Sequence, residues 1–267
     1  MKKTNSQSLI LCVDIGNTST TLGISRGSGI FRNSRLLTAD LAQTGRVRAV
    51  VRQLFAKTGY AARDVTAVVV CSVVPQASAA IKKFWPTIFP QAKIIQLGKD
   101  IPFPIRNAYR VPTQVGNDRL ANAVAAKYYY RLPAIIVDFG TAVTIDIVNA
   151  DAEYIGGMIF PGLQTSLNAL YAQTALLPRT ELARPKDLIG RDTSSSILSG
   201  VVYATGFGVE GVLDALKKRV KPRPVIIGTG GHARFMKDIV CHLDVVDSLL
   251  TLKGIEKTYL ESKYREK

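Results

Sequence analysis

The chain has 267 residues, 47% of them hydrophobic, so it can bury the core of one large domain or of two smaller ones. No run approaches the ~18 apolar residues of a membrane span, and Asp14 interrupts the N-terminal apolar run early, so we expect a cytoplasmic protein without membrane contact. A formal net charge of +15 permits binding to anionic partners of several kinds, whereas three scattered cysteines and two histidines argue against a disulfide framework or a zinc site.

Short apolar runs alternate with longer segments of helical spacing along the chain, which predicts an α/β protein. The predicted strands are residues 9–13, 20–24, 67–71, 134–137, 143–148 and 225–227. The predicted helices are residues 46–58, 77–89, 120–130 and 193–218.

The first predicted strand ends in a sequence motif that is repeated in the middle of the chain. "CVDIGNTSTTLGI" (12–24) and "IVDFGTAVTIDIV" (136–148) can be laid over one another without a gap as strand, Asp, Gly, small hydroxyl residues and second strand. Their aspartates, Asp14 and Asp138, are 124 residues apart. The repeat predicts two similar domains, residues 1–132 and 133–267, that face each other across a cleft.

A single turn of this kind is typical of an ordinary tight hairpin, but two of them favour a nucleotide clamp. Gly16 lets backbone approach a ligand closely, and successive amides of the turn can cradle phosphate oxygens. Asp14 can hold a magnesium ion, directly or through water, against those phosphates. In the second turn, Asp138 offers a carboxylate for a cation and Thr141 a hydroxyl for a phosphate.

The segment "VGNDR" (115–119) opens the predicted helix that follows it. Asp118 lies in the first turn, where the helix dipole favours a negative charge even without a function. The functional alternative makes Asp118 the acceptor of a substrate hydroxyl proton and places Arg119 near an anionic or polar group of the substrate. Phosphoryl transfer does not require a strong base, because its transition state is loose.

Glycines and basic residues mark the C-terminal half of the sequence. "VIIGTGGHA" (225–233) either presents bare backbone to an adenosine ring or carries its glycines for steric reasons. Gly206, Gly208 and Gly211 each cost about 1 kcal/mol in a helix, so we expect close packing against a neighbouring element. The basic run 217–223 follows a helix end, where the dipole favours cations, and we prefer that explanation to nucleic-acid binding.

Five motifs in this order, "DIGNT", "VGNDR", "VDFGTAVTID", "GGMIFPG" and "LIGRDT", lie between residues 14 and 193 and closely resemble type III pantothenate kinase. The resemblance implies the fold of the acetate and sugar kinase, Hsc70 and actin superfamily, with two ribonuclease-H-like domains and an interdomain cleft. It also implies ATP-dependent phosphorylation of pantothenate to 4'-phosphopantothenate, the first step of coenzyme A biosynthesis, by a homodimer.

The resemblance assigns roles to residues of this chain. Asp118 would be the catalytic base, Asp14 would lie near Mg²⁺, and Asp138 would bind the monovalent cation, K⁺ or NH4⁺. The ATP contacts would be Asp14, Ile15, Gly16, Asn17, Thr18, Ser19, Thr20, Thr21 and Thr141. The pantothenate contacts would be Tyr109, Gly116, Asn117, Asp118, Arg119 and Thr193.

Two residues depart from the family pattern: Asn117 stands where alanine is usual, and Val143 where threonine is frequent. Two alternative functions stay open. One is a kinase for another small hydroxylated substrate, and the other is a non-catalytic regulator that binds nucleotide or nucleic acid on the same scaffold. The presence of Asp14, Asp118 and Asp138 favours catalysis, and we expect no nucleic-acid partner although the charge permits one.

Overall fold

The computed structural model describes residues 8–265, and the chain divides into two compact units. The first unit combines residues up to 129 with those from 249 onward, and the second unit is residues 130–248. The single division expected after residue 132 differs from this arrangement at the C-terminal end, which belongs to the first unit. The expected domains also include residues 1–7 and 266–267, which lie outside the described residues.

The first unit is built on a mixed sheet. Its elements up to residue 129 are β1 (Leu9–Ile15), β2 (Ser19–Ser25), β3 (Ile30–Leu37), α1 (Thr44–Phe55), β4 (Val65–Ser72), α2 (Pro75–Phe84), β5 (Lys93–Gln96), β6 (Arg106–Asn107) and α3 (Asn117–Tyr129). The sheet order is β3-β2-β1-β4-β5. The β1–β2 and β2–β3 pairs are antiparallel, whereas β1–β4 and β4–β5 are parallel.

The second unit repeats this arrangement. Its elements are β7 (Ala134–Phe139), β8 (Ala142–Val148), β9 (Glu153–Pro161), α4 (Leu163–Gln173), α5 (Thr193–Arg219), β10 (Val225–Thr229), α6 (Ala233–Met236) and β11 (Val245–Val246). Within the unit the strand order is β9-β8-β7-β10-β11. Again the first three strands of the unit pair antiparallel and the last two join in parallel, so the predicted duplication extends to whole sheets.

Helix α7 (Leu250–Arg265) follows β11 and belongs to the first unit. This helix packs on α3 and covers one face of the sheet, where Cys12 and Val69 meet Leu252 and Ile255 in one apolar cluster. The opposite face of the same sheet carries a separate cluster with α1 and α2. The first unit is therefore a three-layer α/β structure, and one of its outer layers joins two helices that are far apart in the sequence.

The structure corrects the gapless overlay of the two hairpins. In the first hairpin Asp14 pairs with Thr21, and in the second Asp138 pairs with Thr144. The second connection is one residue shorter, so Thr144 corresponds to Thr21, whereas the gapless overlay matches it with Thr20. A slip of one residue moves every side chain of a strand to the other face, so the correction decides which groups of β8 share a face with Asp138.

Most predicted elements are confirmed, with bounds shifted by turns and prolines. Helix α2 ends at Phe84 because Pro86 cannot continue it, and a short 3-10 turn takes its place. Helix α3 begins at Asn117, three residues before the predicted start, which puts Asp118 in the first turn as expected. Strands β1 and β7 continue through Asp14 and Asp138, so both aspartates belong to the ladders.

Helix α5 is unusually apolar for its position. Within residues 8–265 it is the one helix long and apolar enough to cross a membrane by length and composition, and 33% of its apolar 18-residue stretch is buried. Core helices pass the same test, and Val202, Val209 and Leu213 of α5 do lie in the core of the second unit. One side of α5 is therefore a core face, and the other side remains exposed.

The three glycines of α5 have different surroundings. A Cβ on Gly206 would lie 2.3 Å from Cγ2 of Ile239, which confirms the expected close packing at this position. Around Gly208 and Gly211 a Cβ would meet no atom of the chain within 4 Å. Packing inside the chain therefore explains only the first of the three.

Candidate active site

The turn between β1 and β2 is fixed by hydrogen bonds to a threonine after β3. The amide of Gly16 donates to the carbonyl oxygen of Ser19 at 3.1 Å, and Thr38 Oγ1 donates to the carbonyl oxygen of Gly16 at 2.7 Å. The Thr38 amide donates to the carbonyl oxygen of Thr18 at 3.1 Å. Asn17 and Thr18 remain exposed at the tip. The turn is thus preformed and presents polar groups that suit the oxygens of an anion.

Two residues of the predicted ATP set are fully buried. Ile15 and Thr20 are each 0% exposed, and Thr20 Oγ1 is hydrogen-bonded to Thr38 Oγ1 at 3.1 Å. Their side chains are therefore not available to a ligand in this arrangement. Arg35 donates from Nη2 to Ser19 Oγ at 2.5 Å, which brings a positive charge beside the turn.

The first turn of α3 holds the carboxylate of Asp118 in a defined place. The amide of Arg119 donates to Asp118 Oδ1 at 2.8 Å. A Cβ on Gly116 would lie 2.5 Å from the same oxygen, so a glycine is needed there for the carboxylate to keep this position. The Arg119 side chain is itself buried. The dipole of α3 favours the negative charge of Asp118 at this end.

Asp14 and Asp118 both lie close to Cys71, a buried thiol on β4. Asp14 is the partner of Cys71 in the parallel β1–β4 ladder. Burial, and then the negative charges of Asp14 and Asp118, raise the pKa of the Cys71 thiol well above its ordinary value. In α/β sheets ligands bind outside the carboxyl ends of the strands. The first unit therefore brings the predicted magnesium ligand and the predicted base together at that edge.

Asn117 has a structural contact that alanine could not make. Its Nδ2 donates to the carbonyl oxygens of Ser72 at 3.3 Å and Leu97 at 3.4 Å, at the ends of β4 and β5. Gly98, with φ at 77°, leaves room for it, because a Cβ there would lie 2.6 Å from Asn117 Oδ1. Asn117 thus fastens the first turn of α3 to the sheet, and its contact with pantothenate stays a prediction.

The loop that carries Tyr109 is organised by Asn107. Asn107 Oδ1 accepts from the amide of Tyr109 at 3.1 Å, and Asn107 Nδ2 donates to the carbonyl oxygen of Pro112 at 3.0 Å. Tyr109 is half-buried. Its contact with pantothenate stays a prediction.

The second hairpin is tied to the start of α4. The carbonyl oxygen of Thr141 accepts from the amide of Gly162 at 3.0 Å and from Thr165 Oγ1 at 2.6 Å, while the Thr141 side chain is exposed. Val143 is fully buried in the core of the second unit. The departure from threonine at this position therefore removes no hydroxyl from the surface of the hairpin.

The third glycine cluster packs directly on the carboxylate of Asp138. Gly230 has φ at 91°, and a Cβ there would lie 2.3 Å from Asp138 Oδ1. A Cβ on Gly140 would approach the same oxygen to 3.3 Å. The amide of His232 donates to the carbonyl oxygen of Phe139 at 3.1 Å. A steric requirement thus explains the glycine at position 230. This was one of the two explanations given for the cluster, the other being contact with an adenosine ring.

Thr193 is the first residue of α5, immediately after the capping residue Asp192. The Asp192 carboxylate accepts from the amide of Ser195 at 2.8 Å, and this bond lowers the pKa of Asp192. A cavity of about 580 Å³ lies beside this helix end, and among the described residues its lining comes from the segment 180–198, including Arg184 and Arg191. Its lining contains no residue of the second hairpin, so this cavity is distinct from the surroundings of Asp138.

Metal ligands are few in both units. Within residues 8–265, no group of three or more His, Cys, Asp or Glu side chains has the arrangement of a metal site. Magnesium at a kinase site is commonly held by one or two carboxylates together with substrate phosphates, so Asp14 does not require such a group. Asp14 and Asp138 therefore stay as the predicted ligands.

Three polar residues behind the second hairpin were missed by the sequence analysis. Asp146 is 0% exposed, and it accepts hydrogen bonds from Thr144 Oγ1 at 2.9 Å and from Tyr154 OH at 2.8 Å. The signal was available, because a carboxylate in the apolar run "TIDIV" must be paired if the strand is buried.

Solved structures share the fold over almost the whole chain. A Campylobacter jejuni protein, described as belonging to a Baf family of transcriptional activators, has a TM-score of 0.59 at 20% identity and covers 95% of this chain and 99% of its own. The activator of 2-hydroxyisocaproyl-CoA dehydratase from Clostridium difficile has a TM-score of 0.57 at 15% identity, with 97% of each chain covered. The predicted fold, with two ribonuclease-H-like units, is confirmed.

Sequence comparison is more specific than the fold. A curated type III pantothenate kinase from Halalkalibacterium halodurans is 37% identical over 251 residues, which is 94% of this chain and 98% of that protein. The sequence model of the type III pantothenate kinase family matches residues 10–215, from β1 through most of α5. The chain therefore belongs to the type III pantothenate kinase family.

Proposed function

We propose that this chain transfers the γ-phosphoryl group of ATP to the primary hydroxyl of pantothenate and so forms 4'-phosphopantothenate, the first step of coenzyme A biosynthesis. Membership of the family supports the substrates. The observation that carries the chemistry is the position of the first turn of α3 at the end of β4: Asn117 donates to the Ser72 carbonyl oxygen, next to Cys71, which is the ladder partner of Asp14. We place the reaction in the cytoplasm.

In the proposed reaction Asp118 orients the pantothenate hydroxyl and accepts its proton as the oxygen attacks the γ-phosphorus. A new P–O bond forms to that oxygen, the bond to the β,γ-bridging oxygen breaks, and ADP leaves. The proton remains on Asp118. Because the transition state is loose, positioning contributes more than base strength, and the fixed first turn of α3 supplies that positioning.

Residues of both hairpins would hold ATP and its ions. The preformed turn at Gly16 and the exposed Thr18 suit the phosphates, and Thr141 would add a contact from the second hairpin. Asp14 would hold Mg²⁺, which neutralises phosphate charge. Asp138 would bind K⁺ or NH4⁺, to which its half-buried carboxylate, packed against Gly140 and Gly230, offers a negative charge.

Release of ADP from ATP should depend on pantothenate, on Mg²⁺ and on K⁺ or NH4⁺. A coupled assay for ADP with purified protein measures this, and omission of each component in turn is the control. A panel of other small alcohols separates pantothenate from the alternative acceptors. Turnover that is absent with all components present would refute the proposal, and turnover with another alcohol only would replace the substrate.

The exposed side of α5 supports the homodimer that the family resemblance implies. Five small residues follow one another on this side at the spacing of helical turns, all of them exposed: Gly200, Ala204, Gly208, Gly211 and Ala215. An exposed helix glycine costs about 1 kcal/mol relative to alanine, and three of them have open space around them. We propose that α5 of a second copy packs here in an isologous contact, which small residues permit at short interaxial distance.

Gly208→Leu should convert the dimer into a monomer, because the added side chain would hold the two helices apart. Size-exclusion chromatography with light scattering measures the mass. Gly45→Leu in α1, where a Cβ also meets no atom within 4 Å, is the matched control and should leave the mass unchanged. A Gly208→Leu protein with the mass of a dimer would contradict the proposed contact.

The charge of +15 is the observation that favours a second function, a regulator that binds nucleic acid. The basic residues of the run 217–223 include Lys217, Lys218 and Arg219 in the last turn of α5, as the dipole explanation predicted. Binding to DNA that weakens steeply between about 50 and 200 mM salt would support the regulator. Catalysis in the assay above, without such binding, would exclude it.

A further inference from the structure

Asp146 is a buried carboxylate that the proposed reaction does not use. It lies on β8 with its side chain fully buried, and each of its two oxygens receives a hydroxyl proton, one from Thr144 and one from Tyr154. Burial of a carboxylate is costly, so its hydrogen bonds must be made by nearby donors. The hydroxyl of Thr144 is therefore held as a donor toward the interior of the sheet.

A threonine hydroxyl has one proton to donate and two lone pairs that accept. Because the proton of Thr144 points to Asp146, only its lone pairs remain for a ligand. Thr144 and Asp138 are direct partners in the antiparallel β7–β8 ladder, so their side chains lie on the same face, about 5 Å apart at Cβ. Both side chains are half-buried. This pair offers oxygen acceptors without a donor, which suits a cation and disfavours a phosphate.

The first hairpin has the same pair without the acid behind it. Asp14 faces Thr21 across the β1–β2 ladder, but the residue that corresponds to Asp146 is Gly23. A Cβ on Gly23 would lie 2.8 Å from Leu252 Cδ1, so α7 leaves no room for a carboxylate there. Thr21 has no such acid to which it must donate, and its hydroxyl can donate to a phosphate oxygen. The two related hairpins thus differ in what their threonines can bind.

We propose that Thr144 is a second ligand of the monovalent cation at Asp138, and that Asp146 is the positioning residue that turns the Thr144 lone pairs toward that cation. This inference rests on the proposed cation site at Asp138. Oxygen ligands that replace the hydration shell are what K⁺ requires, and neutral oxygens beside one carboxylate match its single charge. Tyr154 stabilises Asp146 from the opposite oxygen.

The test is the potassium dependence of thermal unfolding with ADP and Mg²⁺ present. KCl replaces choline chloride at constant ionic strength. For each variant we measure the K⁺ concentration at which the melting temperature has risen by half of its maximal increase. Thr144→Val should raise this concentration about 10-fold or more. Asp146→Asn should also raise it, by about 10-fold to 100-fold, the usual loss of metal affinity when a residue that orients a ligand is changed. Thr144→Ser keeps the hydroxyl and should stay within about 3-fold of the unchanged chain.

Thr144→Ala serves as the second variant if Thr144→Val does not fold. A wild-type potassium dependence in whichever of the two folds would overturn the role of Thr144, and a wild-type dependence in Asp146→Asn would overturn the positioning role. If the unchanged protein phosphorylates pantothenate but its melting does not respond to K⁺ or NH4⁺, the cation site and this inference both fail while the kinase assignment stands. A protein without turnover refutes the kinase assignment separately.

Discussion

Asp118→Asn should lower kcat for pantothenate phosphorylation by about 100-fold to 10,000-fold, the range expected when a positioned proton acceptor is lost. The amide has nearly the same shape, so the hydrogen bond from the Arg119 amide to the Oδ1 position can persist. The variant cannot take up the hydroxyl proton. Steady-state rates of ADP release at saturating ATP and pantothenate measure the effect.

Binding of nucleotide separates this loss from damage to the fold. Calorimetric titration with MgADP should give affinity within about 3-fold of the unchanged protein, because the phosphates are assigned to the hairpins and not to α3. Asp151→Asn, in an exposed turn of the second unit, removes one carboxylate elsewhere and should leave kcat unchanged. An Asp118→Asn enzyme of normal rate would remove Asp118 from the base position.

Gly254→Ala should destabilise the protein by about 2 to 4 kcal/mol, near the upper end for an overpacked site. A Cβ on Gly254 of α7 would lie 1.8 Å from the carbonyl oxygen of Ala121 and 2.6 Å from its carbonyl carbon. These are backbone atoms of α3, which cannot rotate away, so the two helices would have to separate. The midpoint of urea unfolding measures the change.

Gly45→Ala in α1 is the matched control, because its Cβ would meet no atom within 4 Å and the substitution favours a helix. It should be neutral or slightly stabilising. If Gly254→Ala unfolded at the same urea concentration as the unchanged protein, the close contact of α3 with α7 would be wrong. Because α3 also carries Asp118, we expect a weakened enzyme alongside the lower stability.

The sequence was sufficient for elements whose signal is local. The hairpin turns, the alternation of strands and helices and the place of Asp118 in a first turn follow from glycine positions, apolar spacing and charge at a helix start. The motifs supplied the family, and the comparisons agree with it. Secondary structure and turn positions could therefore be predicted from the sequence.

Features that depend on distant partners could not be predicted. The gapless alignment of the two hairpins missed the one-residue difference in turn length. The sequences of β2 and β8 can be aligned in either of two registers, and only the strand pairing distinguishes them. Asn117 appeared as a departure beside the base, and only the carbonyl oxygens of Ser72 and Leu97 reveal its contact. Helix α7 lies where its apolar side chains pack against those of β1. This contact joins residues far apart in the sequence, so the local sequence of α7 does not predict it.

The return of α7 to the first unit has a consequence for synthesis on the ribosome. Residues 130–248 form a compact unit that is complete before Leu250 emerges, so it can fold while the earlier part of the nascent chain still waits for its last helix. Until then Cys12 and Val69 lack Leu252 and Ile255 as neighbours, and that apolar sheet face is open to chaperones or to aggregation. Strands β1 and β4 are synthesised early, but one of their apolar faces stays exposed to solvent until α7 has been synthesised.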